Sequence, residues 1–280
     1  MTTQNIEEKI LLAKKEVDDF IFNFFESQKH RNDLILMDSM KYSVVNRGKR
    51  IRSFIILSCA KHFKISKAVS LVLCLCVEII HAYSLIHDDL PCMDNSNTRD
   101  GILTNHIKYG EANSLLAGNS LLTLVFEILS SPLLTLDSYD KIQIINAIAI
   151  AFGHNGVMGG QAFDIMIAKK EIKDLNLKTI FEMQKLKTGE FFAFCSSVCG
   201  ILSSKYDEIE KQKQFGYLFG KIYQIVDDIK DSDEDGLNSV LNFMSKEDAI
   251  SLAKTLLKET KESTKISDLK DLADYIVQQL

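Results

Sequence analysis

Only two prolines, Pro91 and Pro132, interrupt 280 residues. A chain so poor in its strongest helix breaker has few places where it must leave a helix. Apolar residues also recur at spacings of three and four. Ile6, Ile10, Leu11, Val17, Phe20, Ile21 and Phe24 mark one such face, and Phe215, Leu218, Phe219, Ile222, Ile225 and Val226 mark another. These are amphipathic helices packed on a core. The pattern predicts helices over 4–27, 32–45, 49–62, 67–89, 110–130, 138–153, 155–168, 176–200, 206–231, 245–260 and 267–278, with no competing strands. The expected class is all-α.

With 46% hydrophobic residues the chain can bury a large core. Its polar stretches are short enough to be loops, so one domain is expected over residues 1–280. A net charge of −5 argues against a nucleic-acid surface, which needs a basic stripe. An anionic ligand must therefore be held by local charge. Cys59, Cys74, Cys76, Cys92, Cys195 and Cys199 lack zinc-like spacing and lie mostly in apolar runs. They read as reduced thiols of a cytoplasmic protein. Glu7, Glu8 and Lys9 precede any sustained apolar run, so no signal peptide is expected. No membrane span is expected either, because Glu78 cuts the most apolar stretch well short of the roughly 20 residues a bilayer needs.

The chemistry gathers in two acidic clusters. In "HAYSLIHDDLPCMDNSNTRDG", Asp88 and Asp89 end an apolar helix and Pro91 turns the chain out, so that Asp94 can fold back towards them. In "YQIVDDIKD", Asp227 and Asp231 share a helical face with Asp228 alongside. Negative charge at a helix C-terminus opposes the helix dipole, which weakens the reading of these pairs as ordinary solvated ends. Clusters facing each other would need bridging cations. Hard oxygen donors without His or Cys nearby suggest Mg2+, completed by water and substrate phosphates. Counter-charge is available in "NRGKRIRS", with Arg47, Lys49, Arg50 and Arg52 at a loop-to-helix junction. His81 lies two turns before Asp88 on the same helix side. "KTGE" at 187–190 and Gln224, one turn before Asp227, complete the polar set. The Glu78-x-x-His81 spacing also permits a di-iron carboxylate bundle, although no second ExxH occurs.

From "GKRIR" through "VEIIHAYSLIHDDLPCMD", "KYGEANSLLAGNSLL", "MGGQAFD", "KTGE" and "YQIVDDIKD" to "LADYIVQQL", the chain resembles the trans-isoprenyl diphosphate synthases, most of all the bacterial farnesyl diphosphate synthases. The resemblance implies an isoprenoid synthase fold: a single-domain orthogonal bundle of about ten or more helices around a central prenyl-binding cavity. It implies a homodimer that condenses isopentenyl diphosphate head-to-tail with allylic diphosphates. Asp88, Asp89, Asp94, Asp227, Asp228 and Asp231 would hold Mg2+. Arg99, Lys187 and Lys221 would neutralise the allylic diphosphate, Thr188 and Gln224 would sit beside the allylic cation, and Lys49, Arg52 and His81 would bind isopentenyl diphosphate. Tyr83, five residues before Asp88, resembles the aromatic floor that stops growth at farnesyl length. A geranylgeranyl-forming enzyme, or a weakly active or non-catalytic homologue, is the alternative.

Three departures qualify the resemblance. Asp100 stands where a second arginine is expected, which predicts weaker binding of isopentenyl diphosphate by roughly ten- to a hundredfold. Arg47 replaces a glycine. After "DDIKD" the chain passes through "SDEDGLNSVL" without the family's closing lysines.

Overall fold

The structure, a computed structural model, describes residues 3–28, 35–45, 48–132, 134–231 and 236–280. Among these, the chain runs α1 (Thr3–Ser27), α2 (Ile35–Val44), α3 (Ile51–Phe63), α4 (Lys67–Asp88), β1 (Thr98–Arg99), β2 (Ile102–Leu103), α5 (Asn105–Tyr109), α6 (Glu111–Ser130), α7 (Ser138–Phe152) and α8 (Val157–Ala168). It continues through α9 (Leu177–Gln184), a π turn at Lys185–Gly189, α10 (Glu190–Leu202), α11 (Tyr206–Lys230), a 3-10 turn at Val240–Asn242, α12 (Lys246–Ser263) and α13 (Ser267–Val277). The all-α expectation holds, and every expected helix is found within a few residues of its predicted bounds. The part of the second helix expected before Ile35, and Arg47, lie outside the described residues.

Four elements escaped the sequence reading, one of them the 3-10 turn at Val240–Asn242. The π turn sits inside the stretch expected as one helix over 176–200, and α5 was not expected. The hairpin β1–β2 corrects the expectation of no strands: Thr98 pairs with Leu103 and Arg99 with Ile102, antiparallel. Its two-residue loop is Asp100–Gly101, with φ of 51° and 76°. Two adjacent positive φ values are what a type I′ turn requires, and Asp-Gly is a favoured pair for it.

The chain divides into two compact units. One comprises Glu8–Leu57 and Ser66–Asp137, and the other Met1–Glu7, Ser58–Ile65 and Ser138–Leu280. In the first, α4 is the central helix. Ser66 caps its start by accepting the Val69 amide, and its middle, from Leu73 to Ile80, is buried without a break. Gly118 on α6 permits close packing there, since an added Cβ would lie 2.3 Å from Nε2 of His87. In the second unit α10 is buried without a break from Phe191 to Gly200 and packs on α11. Gly216 makes that approach possible, because a Cβ there would fall 2.3 Å from the Cα of Ala193. Phe192 and Phe219 meet edge to face at 5.0 Å across the same seam.

The expectation that no stretch is long and apolar enough to span a bilayer is corrected. Lys67–Asp88, Glu111–Ser130 and Ser138–Ala168 all qualify by length and composition. A single carboxylate, Glu78, does not bring the first of them below that standard of composition. That window is 72% buried within the protein, against 33% for each of the other two.

Candidate active site

The expected site residues fall into two groups, one in each unit. In the first, α4 ends at Asp88 and the chain turns sharply through Pro91. The Asp94 amide donates to the Asp88 carbonyl at 2.9 Å and the Asn95 amide to Leu90 at 3.1 Å. The loop therefore folds back onto the helix end, as the Pro91 argument required. Asp89 is 4% exposed. It accepts both Nε (2.9 Å) and Nη2 (2.8 Å) of Arg99, which β1 presents to it. Burial opposes the charge on Arg99, yet the bonds and field of Asp89, with the fields of Asp88 and Asp94, raise its pKa.

The basic run divides by direction. Arg50 adopts φ of 56°, a left-handed value that turns its side chain inward. It donates to Asp18 (2.8 Å), Glu78 (2.8 Å) and the Val44 carbonyl (2.7 Å), and Ser53 closes the other Glu78 oxygen at 2.6 Å. Arg50 and Glu78 are thus a buried structural pair. Both Glu78 oxygens are engaged within the fold, by Arg50 and Ser53, and no second ExxH supplies the other half of a di-iron set. The di-iron alternative ends there. Lys49 is exposed. Arg52 donates Nη1 to Nε2 of His81 at 3.2 Å. The His81 pKa is held well below 6.5, first by burial and then by the charges of Arg52, Arg50 and Arg99. A neutral ring accepting at Nε2 carries its proton on Nδ1. Arg50, Glu78, His81, Asp89, Arg99 and Asp100 line part of one cavity. Tyr83, 5% exposed, stacks edge-on against His87 at 5.0 Å.

In the second unit, Lys187 and Thr188 occupy the π turn, a helical irregularity frequent at functional sites. Gly160 of α8 lets that turn pass: a Cβ there would sit 2.2 Å from the Lys187 amide nitrogen. Lys187 forms an ion pair with Asp164, whose other oxygen accepts from Asn238 at 2.8 Å. Thr188 donates to Oε1 of Gln224 (3.1 Å), and Gln224 donates Nε2 to Asp228 (3.0 Å). Asp228 also accepts from Gln184 (3.2 Å) and from the Val240 amide (2.9 Å). Asp231 caps α11, its amide donating to the Asp227 carbonyl at 2.9 Å. Lys221 lies 3.6 Å from the Phe181 ring centre, where burial lowers its pKa and Glu259 partly offsets that.

Sequence reasoning quoted "MGGQAFD" but gave no role to Gln161 or Asp164, and it passed over Gln184 and Asn238. The available signal was a polar pair on an otherwise apolar helix. Two buried atoms here, Nε2 of Gln161 and Oε1 of Gln184, have no hydrogen-bond partner among the described residues. Unsatisfied buried polar atoms are costly and mark places where a polar ligand can complete the bonding.

A family model described as polyprenyl synthetase matches residues 33–262. The farnesyl diphosphate synthase of Buchnera aphidicola is 36% identical over 242 residues, 78% of this chain and 82% of its own. A crystal structure of an FPP/GFPP synthase from Zymomonas mobilis superposes with a TM-score of 0.89 at 31% identity, covering 99% of this chain and 100% of that one. The geranyltransferase of Helicobacter pylori, solved with magnesium and isoprenyl diphosphate, gives 0.79 at 25% identity over 96% of each chain. With its two helix-terminal aspartate pairs and a fold matched from end to end, the chain belongs to the polyprenyl synthetase family.

Proposed function

We propose that this chain is a short-chain trans-prenyltransferase that condenses isopentenyl diphosphate with dimethylallyl and geranyl diphosphate to give farnesyl diphosphate and pyrophosphate. We take residues 1–280 as one synthase domain containing both compact units, acting as a cytoplasmic homodimer. The observation that carries the reading is the state of the two Asp-Asp pairs. In each, the second carboxylate is fixed by protein donors, Arg99 on Asp89 and three N–H groups on Asp228. Asp88, Asp94, Asp227 and Asp231 are the proposed magnesium ligands, with Asp89 and Asp228 beside them.

A hard cation that keeps substrate phosphates in its shell suits such an all-oxygen set, because it needs no closed protein cage. Bound magnesium would stabilise the leaving pyrophosphate as a Lewis acid. Lys187 and Arg99 each supply positive charge for diphosphate oxygens. As the allylic C–O bond breaks, the Thr188 and Gln224 oxygens offset positive charge on the allylic carbon. Arg52, Lys49 and neutral His81 hold isopentenyl diphosphate, whose double bond supplies the electron pair for the new C–C bond. The proton then lost passes to pyrophosphate. Tyr83 is the proposed floor for chain length.

The test is incubation with geranyl or dimethylallyl diphosphate, isopentenyl diphosphate and magnesium, followed by mass analysis. Farnesyl diphosphate is expected, and chelation should abolish its formation. Asp88→Ala and Asp227→Ala should each lower turnover by orders of magnitude, since each removes part of several kcal/mol of charge stabilisation. The circular dichroism should stay helical. Near-normal rates in either variant would remove the metal assignment, and a C20 product would replace farnesyl with geranylgeranyl diphosphate.

A further inference from the structure

The segment that follows α11 lacks the lysines expected there, and the structure gives it different work. From Gly236 to Phe243 it braces itself. Asn242 donates Nδ2 to the carbonyls of Gly236 (2.9 Å) and Ser239 (3.2 Å), and Ser239 caps the 3-10 turn by accepting the Leu241 amide at 3.2 Å. Val240 is fully buried beneath it. Two donors then leave the segment in register, two residues apart. Nδ2 of Asn238 bonds Oδ1 of Asp164 at 2.8 Å, and the Val240 amide bonds Oδ2 of Asp228 at 2.9 Å.

Each bond continues to the π turn. Asp164 uses its other oxygen on Lys187, while Asp228 accepts from Gln224, which in turn accepts from Thr188 at 3.1 Å. The two routes end on adjacent residues. A carboxylate fixed at one oxygen by an amide donor has less freedom to rotate, so the cation on its second oxygen is held in a narrower range of positions. The π turn is a short irregularity between α9 and α10, and these bonds tie its side chains to the neighbouring segment.

We propose that Asn238 is a positioning residue: through Asp164 it fixes the Lys187 ammonium for the allylic diphosphate, so that the short segment 236–243 works as a built-in brace. The inference rests on the prenyl-transfer reading, in which Lys187 meets that diphosphate. It names a residue that does not touch substrate and acts through another.

The experiment uses the full-length enzyme with Asn238→Ala and the isosteric Asn238→Asp, which keeps the volume but offers Asp164 no donor. Both should raise KM for geranyl diphosphate roughly five- to tenfold, as loss of a hydrogen bond to a charged group implies. KM for isopentenyl diphosphate should stay unchanged. In an Asp164→Asn background, Asn238→Ala should add little, because groups in one network are not additive. An unchanged geranyl diphosphate KM overturns the proposal. So does a fully additive double variant, or a parallel rise in both KM values with a lowered melting temperature, which would mark a purely structural bond. If the wild-type enzyme turns nothing over, the functional reading fails by itself. Titration calorimetry with magnesium and pyrophosphate then decides the brace: weaker binding in Asn238→Ala supports it, and equal binding, or none in the wild type, overturns it.

Discussion

Asp89 and Asp228 are the second members of two Asp-Asp pairs at the ends of two apolar helices, yet opposite means hold them. Asp89 is neutralised by a cation, the two-pronged Arg99. Asp228 is surrounded by neutral donors, two side-chain amides and one backbone N–H. The difference extends outward. Around the first pair lies a second ion pair, Arg50 with Glu78, both under 6% exposed. Around the second, apart from Lys187 with Asp164, the bonding runs through Gln184, Gln224, Thr188 and Val240. One region is fixed by charge and the other largely by dipoles, so loss of one partner should be tolerated very differently.

The largest expected effect is therefore in the first region. Glu78→Ala leaves the buried Arg50 guanidinium with one carboxylate, Asp18, and the Val44 carbonyl, and removing one member of a buried pair costs about 3–5 kcal/mol. Asp228→Asn in the second region leaves neutral donors facing a weaker acceptor, and should cost about 1–3 kcal/mol. Urea denaturation of both variants measures the contrast. Equal losses would mean that charge and dipole fixing are equivalent here, and the distinction would fall.

The helices were legible in the sequence because apolar spacing records helical faces directly, and α4 shows how well: its predicted end at 89 lies one residue past the observed one. The acidic pairs, His81, Lys187 and Thr188 stood out in the sequence by residue type, as candidates. What escaped follows from physics that sequence spacing does not encode. Arg50 looked like one more substrate cation, but its positive φ sends it into the interior. The π turn leaves no periodic mark in "KLKTG". Asp164 meets Asn238 across 74 positions of sequence, a distance no local pattern reports. The hairpin was a different kind of miss, since Asp100–Gly101 is a recognisable turn signal that the reading passed over.

A smaller effect sharpens the charge side of the comparison. The pKa values of His81 and His87 are both lowered, each first by burial. An unfolded chain takes up protons on these rings near pH 6.5 while the folded one does not, so more protons are bound in the unfolded state below that pH. Stability is then fully present above about 6.5 and falls as pH drops towards the lower folded values. His81→Gln should flatten part of this decline. Melting temperatures measured from pH 8 to 5 test it, and an unchanged slope in the variant would show that His81 is not a source of it.

The smallest effect expected is at Asp100, where the structure changes what the sequence alone implied. An arginine at this place would be worth a full charge-assisted bond if its side chain were buried against diphosphate. Asp100 is instead exposed at the tip of β1–β2, in a positive-φ position that aspartate tolerates better than most residues. It lines the same cavity as His81 and Arg99, so its negative charge still acts there, but solvent and salt screen it. Asp100→Arg should therefore lower KM for isopentenyl diphosphate by only roughly two- to fivefold at low ionic strength, with the gain fading in high salt. It should also lower stability, because arginine tolerates the left-handed turn position less well than aspartate. KM measured at two salt concentrations separates the outcomes. A ten- to hundredfold, salt-insensitive gain would mean that residue 100 reaches the diphosphate directly in the bound state, and no gain at either salt would mean that the turn points its side chain away.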